Sequence, residues 1–379
     1  MPTDELVELR HHLHSIAEVS GEEDNTALFI EDTLKSYHPD EIVTGIGGNG
    51  ILARYGTADE GPSVLIRCEL DALPITEEND LAYVSKNEGV GHKCGHDGHM
   101  AILCGVAKHL AHNHSLQGHV LLLFQPAEET GKGARKVLED EKFKGINPDY
   151  VFALHNVPGF ERHQIVVRSG PFAAASVGLI VRLRGETAQA AHPEQGKSPA
   201  LAVAQLIQLF SSLPQYYVPL EKAAKATVVQ AHLGEQAFGT SPGHGEVMAT
   251  LRTYDNELLE SLKSKAVELA KGVANTYNLE LETEWVEPFP ATNNDEKAVD
   301  IIRSVASAND LEIVGKDAPF GWSEDFGHFT DAYNGALFGL GSGIDQPALH
   351  AANYDFPDEI IETGVKMFLG IIDHIVEKN

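Results

Sequence analysis

The chain has 379 residues, of which 42% are hydrophobic and 22% are charged, a composition typical of a globular protein and not of a disordered one. Asp and Glu total 56 against 28 Lys and Arg, so the formal net charge at pH 7 is −28. Such an acidic chain repels phosphate backbones and anionic bilayers, which argues against a nucleic-acid or membrane partner. The sequence has no apolar run long enough to span a membrane and no apolar secretory signal at its N-terminus. Together with an odd count of three cysteines, these features predict a cytoplasmic protein.

Helices and short apolar strands alternate along the first and last parts of the chain. Leucines at helical spacing predict an amphipathic helix over 4–19. Apolar runs closed by glycine or polar residues predict buried strands at 51–56, 63–70, 119–126, 150–156 and 335–341. Helical stretches are predicted at 97–113, 132–141, 295–309 and 357–377. Buried strands that alternate with helices predict an α/β domain with a mixed sheet covered by helices.

The middle of the chain has a different pattern. Alternating apolar and polar residues, typical of half-exposed antiparallel strands, occur at 176–186, 226–234 and 245–255. Two long amphipathic helices are predicted at 198–213 and 255–277. We therefore predict an inserted α+β domain over 172–284, while 1–171 and 285–379 together form one discontinuous domain.

Two short motifs match known patterns without their structural context. The stretch GIGGNG, 45–50, fits the dinucleotide pattern G-x-G-x-x-G, but that site needs a following helix, and here a strand is predicted. A tight hairpin is the better interpretation. The stretch GTSPG, 239–243, fits the serine-hydrolase pattern G-x-S-x-G, but Pro242 has no N–H to offer an oxyanion hole. We expect neither kind of site.

The stretch GHKCGHDGH carries an unusual density of metal-binding side chains. Cys94 and His96 lie two positions apart before a predicted helix, so both can turn toward one ion or bridge two. Thiolate and imidazole suit zinc or a similar transition metal better than magnesium or calcium. Taken alone, the stretch is also compatible with a helix-capping loop that bears exposed histidines. We interpret Cys94 and His96 as ligands, Asp97 as the helix cap, and His92 and His99 as bystanders.

Further candidate ligands follow apolar strands. Glu128 and Glu129 come directly after one, where α/β proteins place their ligand crevice. Adjacent carboxylates there point in different directions, so one can bind a metal while the other holds a water. An acidic helix N-terminus is the alternative interpretation. His155 and His350 also follow apolar runs, and four separate pieces at strand ends together predict a metal centre. Other histidines, such as His14, are interpreted as surface residues.

In chain order these motifs resemble a known family, the aminoacylase- and carboxypeptidase-like metallohydrolases with two metal ions. The resemblance is closest to the branch of hippurate hydrolases, N-acetyl-amino-acid and N-acetyl-diaminopimelate deacetylases and auxin-conjugate amidohydrolases. It covers nearly the whole chain, through the segments RHHLHSIAEVSGEE, RCELDALPI, GHKCGHDGHMA, FQPAEETGKGA, ALHNVPG, SEDF and LHAANYDF.

The resemblance implies two divalent metal ions (Mn, Zn, Ni or Co) and assigns their ligands. The implied ligands are Cys94, His96, Glu129, His155 and His350, with Cys94 bridging the two ions.

The resemblance also implies roles outside the ligand set. Glu128 would be the general base that takes a proton from the attacking water, and Asp71 would be a supporting acidic residue behind the ligands. The inserted domain would be a lid and dimerisation module, so a homodimer or higher homo-oligomer is expected. Arg252, within that domain, would hold the substrate carboxylate.

Three positions depart from the family pattern. Glu69 stands where the family has a shorter aspartate, and the stretch from Gly239 to Pro242 lacks a usual asparagine. Gln189 stands where the family has a lid histidine, which is thought to stabilise the tetrahedral oxyanion in a partner subunit's site. His192 is not expected to replace that histidine. A neutral amide there can donate a hydrogen bond but carries no positive charge.

The sequence therefore predicts a metal-dependent amidohydrolase that cleaves N-acyl amino acids with a free carboxylate. The alternative enzyme is a dipeptidase or aminopeptidase-type hydrolase on the same scaffold. A low-activity variant, or a metal- or ligand-binding protein without catalysis, is the other alternative, and Gln189 is its support.

Overall fold

A computed structural model describes residues 4–56, 61–111 and 116–376, and the chain divides into two compact units. Unit 1 comprises Met1–Phe172, Thr292–Phe320 and Glu324–Asn379, and unit 2 comprises Ala173–Ala291 and Gly321–Ser323. Each unit has a hydrophobic core of its own.

Unit 1 contains seven of the helices in the described residues and most of their strands. Its helices are α1 (Asp4–Ser15), α2 (Asp24–Ser36), α3 (His96–Leu110), α4 (Gly133–Glu139), α7 (Glu296–Ala308), α8 (Gly327–Ala332) and α9 (Ile361–Val376). Its large sheet contains β1 (Glu41–Ile46), β2 (Gly50–Tyr55), β3 (Ser63–Glu69), β4 (His119–Gln125), β5 (Tyr150–Pro158), β6 (Ile165–Val167), β15 (Ile313–Gly315) and β16 (Gly335–Gly343). A separate two-stranded ladder joins β7 (Gly170–Ala173) and β14 (Thr292–Asn294).

The strand order of the large sheet is β1-β2-β4-β3-β5-β16-β6-β15. Its centre is parallel, because β4, β3, β5 and β16 are neighbours that run in one direction, and antiparallel pairs flank them. The parallel strands are buried along almost their whole length, which fits a sheet covered on both faces. The predicted fold class, an α/β domain with a mixed sheet, is confirmed.

Unit 2 is an antiparallel sheet with two helices. The sheet contains β8 (Ala175–Arg184), β10 (Ala224–Leu233), β12 (His244–Thr253) and β13 (Glu280–Phe289) in the order β10-β12-β8-β13. The helices are α5 (Ala200–Tyr217) and α6 (Asn256–Thr276), and β9 (Ala188–Gln189) pairs with β11 (Thr240–Ser241). On β8 and β12 every second residue is buried among apolar side chains of the helices, which explains the alternation in the sequence.

Some elements differ from the sequence prediction. The first helix ends at Ser15 and not at 19, because Val19 leaves it to form a parallel bridge with Ala72. The helix predicted over 97–113 ends at Leu110, and residues 112–113 lie outside the described residues. Unit 2 extends to Ala291, beyond the edge placed at 284, because β13 continues to Phe289 as a strand of its sheet.

The stretch GIGGNG forms the predicted hairpin between β1 and β2, and no helix follows it. Gly47 in its turn has φ +64°, and a Cβ there would lie 2.8 Å from the backbone nitrogen of Val137 in α4. The turn thus packs directly on the helix that follows Glu128 and Glu129, and only glycine fits this contact.

We expect Gly47→Ala to lower the free energy of unfolding by about 3 kcal/mol, since the left-handed backbone and the clash both disfavour a methyl group. Gly145 is the matched control, because its φ is +91° but nothing lies within 4 Å of the position that a Cβ would take there. Gly145→Ala should therefore cost only about 1 kcal/mol. Urea unfolding of both variants measures the difference, and equal losses would contradict the packing argument.

Candidate metal centre

The predicted site residues of unit 1 lie at one edge of the large sheet. Parallel neighbours end at the same edge, so the residues after β3, β4 and β16 and at the end of β5 come together there. Asp71 follows β3, Glu128 and Glu129 follow β4, His155 lies near the end of β5, and His350 follows β16. The loop that carries Cys94 leads into α3 at the same edge.

Two sets of potential metal ligands share Cys94. One consists of Cys94, His96 and His155, and the other of Cys94, Glu129 and His350; within each set the ligand atoms lie within 4.8 Å of one another. The structure thus brings all five implied ligands together, with the thiol common to both sets. A shared sulfur is the arrangement that a bridging thiolate requires.

The ligand atoms face one another at short distances. The Sγ atom of Cys94 lies 3.4 Å from Nε2 of His155. The two oxygens of Glu129 face different histidines, with Oε1 3.9 Å from Nε2 of His96 and Oε2 3.8 Å from Nε2 of His350. Ligand bonds of about 2.0–2.3 Å hold ligand atoms roughly 3–4 Å apart, so these spacings suit a shared cation.

Hydrogen bonds fix the two buried imidazoles with Nε2 directed into the site. His96 donates from Nδ1 to the backbone carbonyl of Asp71 at 2.8 Å, and His155 donates from Nδ1 to that of Asn156 at 2.9 Å. Each bond turns Nε2 toward the other candidate ligands, from where a deprotonated Nε2 can bind a cation. Among the described residues, the buried atoms His96 Nε2 and Glu129 Oε1 have no hydrogen-bond partner, which is a costly state that a metal ion would relieve.

The charges of the site shift the pKa values of its members. Burial alone would lower the pKa of His96, but Asp71, Glu69 and Glu129 raise it to about 10. Burial raises the pKa of Glu129 to about 7 and lowers the pKa of His155 to about 3. Burial also raises the pKa of the Cys94 thiol, and neighbouring carboxylates raise it further. Metal binding would release the protons of His96, Glu129 and Cys94, so the affinity of the donor set for a cation depends on pH.

The backbone around the ligands is unusual. Gly95, between Cys94 and His96, has φ +94°, and a Cβ there would lie 2.6 Å from Oδ1 of Asn156. Ala127, directly before Glu128, has φ +55°, and His350 has φ +66°. Non-glycine residues in this region cost free energy and concentrate at functional sites.

Asp71 lies behind the ligands, where it was expected as a supporting residue. Its Oδ2 accepts hydrogen bonds from the hydroxyl of Ser20 at 2.6 Å and from the backbone N–H of Glu129 at 3.0 Å. Its Oδ1 lies 3.6 Å from Nδ1 of His96. One carboxylate therefore holds the backbone of one candidate ligand and the ring of another.

Glu128 is almost fully buried and has carboxylates for neighbours. Its Oε1 accepts a hydrogen bond from the backbone N–H of Asp325 at 3.3 Å, and its carboxylate lies within 4.8 Å of those of Glu324 and Asp325. Burial raises the pKa of Glu128, and the charges of Glu324 and Glu129 raise it further. A group that holds a proton this readily is suited to accept one from a reacting water.

A buried arginine neutralises these carboxylates. Arg67 on β3 donates to Gln125 at 2.9 Å, to Glu324 at 2.9 Å and to Asp325 at 2.7 Å, and it also pairs with Glu69. Its side chain has no exposed surface. Sequence reasoning missed this cluster, although a charged residue in the middle of the apolar run SVLIRCEL was a signal for it.

His99 is buried and bonded to its neighbours, so it is not an exposed loop histidine; that it is not a metal ligand remains a prediction. Its Nδ1 lies 2.7 Å from Oε2 of Glu69, and its Nε2 lies 2.6 Å from Oδ1 of Asn156. The longer carboxylate at position 69 therefore reaches the helix that begins at His96. His92 is buried as well, and burial lowers its pKa to about 3.

Asp97 does not cap α3, and His14 is not on the surface. Asp97 is buried and accepts hydrogen bonds from Arg10 at 3.0 Å and from Nδ1 of His14 at 2.8 Å, while Gly95 is the N-cap residue. Nε2 of His14 lies 2.7 Å from Oε1 of Glu77, which also accepts a hydrogen bond from Lys93. Lys93 and Asp97 flank the two ligands of the loop, so this buried network holds the loop at both ends.

The remaining predicted residues lie in unit 2. Gln189 is exposed and ends β9, where Thr240 of β11 is its partner. The chain then turns, since the N–H of His192 bonds to the carbonyl of Gln189. Arg252 donates from Nη1 to the carbonyl of Gly321 at 3.0 Å and to Ser323 at 3.1 Å.

The fold and the donor set define the class of protein as a metal-dependent hydrolase. Residues 65–374 match the family model of Peptidase family M20/M25/M40. The N-acetyl-L-cysteine deacetylase of Bacillus subtilis is 33% identical over 353 residues, 92% of this chain and 83% of that protein. The hippurate hydrolase of Campylobacter jejuni is 30% identical over 363 residues, 94% of this chain and 93% of that protein.

Solved structures agree with these relatives. A dinuclear metal-binding peptidase of the M20 family from Bacillus subtilis superposes with a TM-score of 0.82 at 25% identity, covering 99% of this chain and 98% of that chain. The chain therefore belongs to Peptidase family M20/M25/M40, and it is a metal-dependent amidohydrolase. Among the described residues, no helix is both long and apolar enough to cross a bilayer.

The buried pairing of His14 gives a prediction for stability against pH. Its pKa is raised from 6.5 to about 9, because the hydrogen bonds to Asp97 and Glu77 outweigh the opposing effect of burial. The protonated ring therefore stabilises the fold fully below about pH 6.5, and this stabilisation is lost as the pH rises through about 9.

We expect the wild-type protein to lose up to about 3 kcal/mol of its stability advantage over His14→Gln between about pH 6 and about pH 10. Urea unfolding of the two proteins in EDTA measures the difference, and the difference between proteins removes the contribution of other titrating groups. A stability gap that stays constant over this range would show that His14 is not protonated in the folded protein.

Proposed function

We propose that the protein hydrolyses the amide bond of N-acyl amino acids that carry a free carboxylate, by attack of a water at a centre of two divalent ions. The observation that carries the proposal is the pair of ligand sets that share Cys94, with the buried Glu128 beside them. The named activities of the two relatives, deacetylation of N-acetyl-L-cysteine and hydrolysis of hippurate, support this substrate class.

In this proposal the ligands are Cys94, His96, Glu129, His155 and His350, with Cys94 common to both ions. The unpartnered Nε2 of His96 and Oε1 of Glu129 support the assignment, since buried polar atoms are rarely left without a partner. Asp71 holds the ring of His96 and the backbone of Glu129 in place. Mn, Zn, Ni and Co all suit a donor set of thiolate, imidazole and carboxylate.

Bound divalent ions would polarise the scissile carbonyl and lower the pKa of a water. Glu128 takes the proton from the attacking water and then delivers it to the leaving nitrogen. Arg67 pairs with Glu324 and Asp325, and the backbone N–H of Asp325 donates a hydrogen bond to Glu128. These contacts hold the carboxylate of Glu128 in position.

Unit 2 supplies the substrate contact in this proposal. Arg252 holds the substrate carboxylate, as the family resemblance implies, and it is a local cation in a strongly acidic chain. We assign unit 2 as the lid and as the surface through which a homodimer forms. Exposed apolar side chains in unit 2, such as Tyr216 at 77% and Phe238 at 99%, support a protein contact there.

A cytoplasmic location is part of the same proposal. Cys68, Cys94 and Cys104 are all buried and unpaired, which suits a reducing compartment. The ligand role of Cys94 itself requires a free thiol.

The test is hydrolysis of a panel of N-acetyl and N-benzoyl amino acids after the metal-free protein has been reloaded with each of the four metals. We expect turnover by wild type, a loss of about 10²–10⁴ in kcat for Glu128→Gln with the metal content unchanged, and loss of the bound metal in Cys94→Ser combined with His96→Ala. Metal content is measured by elemental analysis alongside activity.

Each part of the proposal has a result that would contradict it. Full metal content in the double variant would refute the ligand assignment. Hydrolysis of free dipeptides with no turnover of N-acyl amino acids would replace the proposed activity with the dipeptidase alternative. Full activity of Glu128→Gln would remove Glu128 from the mechanism.

Gln189 gives a separate prediction. If it occupies the position of an oxyanion donor, a charged imidazole should stabilise the developing negative charge better than a neutral amide, and Gln189→His should raise kcat for amide hydrolysis at least about tenfold. His192→Gln is the matched control, since His192 is also exposed and should have no such effect. Unchanged kcat in Gln189→His would exclude the assigned role.

A further inference from the structure

Unit 2 contains a cavity of about 550 Å³ whose charged side chains are all cationic. Lys222, Lys225 and Arg252 line it, and none of the lining residues in the described ranges is an aspartate or a glutamate. The chain has twice as many acidic as basic residues, so a cavity lined by basic and not by acidic side chains differs in charge from the rest of the molecule. It attracts anions that the rest of the molecule repels.

Two of these cations are held side by side by the sheet. Lys225 of β10 and Arg252 of β12 are direct partners in the antiparallel register, so both point to the same face. The Cβ atoms of such partners lie about 5 Å apart, and like charges in this position destabilise a sheet. The fold thus places two positive charges together without an apparent structural benefit.

Neither charge is neutralised by a described residue. Lys222 pairs with Asp255, but Lys225 has no ion pair within the described residues. Arg252 bonds only to the carbonyl of Gly321 and to the hydroxyl of Ser323, through one of its nitrogens, and no carboxylate of the described part of the chain faces it. The pair therefore lacks the counter-charge that would offset its repulsion.

Apart from the polar side chains of Gln215 and Thr253, the rest of the described wall is mostly apolar or aromatic. Val218, Leu220 and Tyr254 line the cavity beside the two cations. Such side chains pack on methylene groups, which a short organic acid has and an inorganic anion lacks. The planar guanidinium of an arginine suits one carboxylate, and the point charge of a lysine suits a second one.

We propose that this cavity binds a short dicarboxylate, with Arg252 on one carboxylate and Lys225 on the other. The preferred substrates are then N-acyl derivatives of acidic amino acids, whose side chain carries the second carboxylate. The substrate class rests on the proposed function, whereas the binding of a dicarboxylate does not.

The binding experiment uses ligands without a scissile N-acyl group on the metal-loaded full-length protein. Glutarate is compared by calorimetry with glutaramate, which has the same size and one charge fewer. We expect glutarate to bind about tenfold more tightly, as a hydrogen bond between charged groups allows, and the preference to weaken as salt is added. Lys225→Gln should abolish the preference, and Lys225→Arg should retain it.

The control variant is Lys271→Gln, which removes an exposed lysine of α6 in the same unit and should leave the preference as in wild type. Equal affinities for glutarate and glutaramate, or an unchanged preference in Lys225→Gln, would overturn the proposal. Inorganic phosphate serves as a competitor: if it displaces glutarate at equal concentration, the cavity is a simple anion site and the dicarboxylate assignment is wrong.

The kinetic experiment compares N-acetyl-L-glutamate with N-acetyl-L-glutamine. We expect kcat/KM to favour the glutamate substrate about tenfold in wild type and in Lys271→Gln, and the ratio to fall to near unity in Lys225→Gln. Hydrolysis of both substrates at equal rates would leave the proposed function intact and reject the cavity assignment. Glutarate binding that depends on Lys225, without hydrolysis of any N-acyl substrate, would reject the proposed function and support the cavity.

Discussion

A buried positive charge organises the edge of the large sheet at which the candidate ligands meet. Arg67 has no exposed side-chain surface, and an unpaired charge there would cost several kcal/mol. Its partners come from separate parts of the chain: Glu69 from its own strand, Gln125 from β4, and Glu324 and Asp325 from the loop after β15. The requirement to surround one guanidinium with acceptors therefore ties these segments together.

The same network continues to the ligands. Asp325 donates its backbone N–H to Glu128, and Glu69 bonds to His99, which in turn bonds to Asn156 beside His155. On the other side, Lys93 and Asp97 belong to the cluster of His14 and Glu77 and flank the ligand loop. The candidate ligands are thus positioned by residues outside the implied ligand set, which is how a protein fixes the geometry of a metal site.

The ligands could be found from the sequence, and their supports could not, for one physical reason. A buried strand appears in the sequence as an apolar run, and a polar residue after that run marks the edge of the sheet. Glu129, His155 and His350 can therefore be predicted from the sequence. Arg67 and Asp325 are 258 residues apart, and nothing local indicates that they meet. His14 shows the same limit, because its helical context is typical of a surface residue, whereas tertiary contacts bury it between two carboxylates.

Local patterns were also sufficient for the long buried strands and for most of the described helices, because periodicity reflects which face is buried. They failed where the chain leaves an element for a distant partner. The first helix stops early so that Val19 can bridge to Ala72, and Asp97 turns away from the helix end toward Arg10. In both cases the local preference is overridden by an interaction that the sequence alone does not specify.

Each unit carries a local imbalance of charge that a bound species can correct. Unit 1 buries Glu128, Glu129 and their acidic neighbours together, and the positive charge of Arg67 alone does not balance their negative charges. A bound cation would balance the remainder. Unit 2 places Lys225 opposite Arg252 in a cavity without acids, so an anion is needed to complete it. Each arrangement disfavours folding by itself, and each becomes favourable when the missing charge binds.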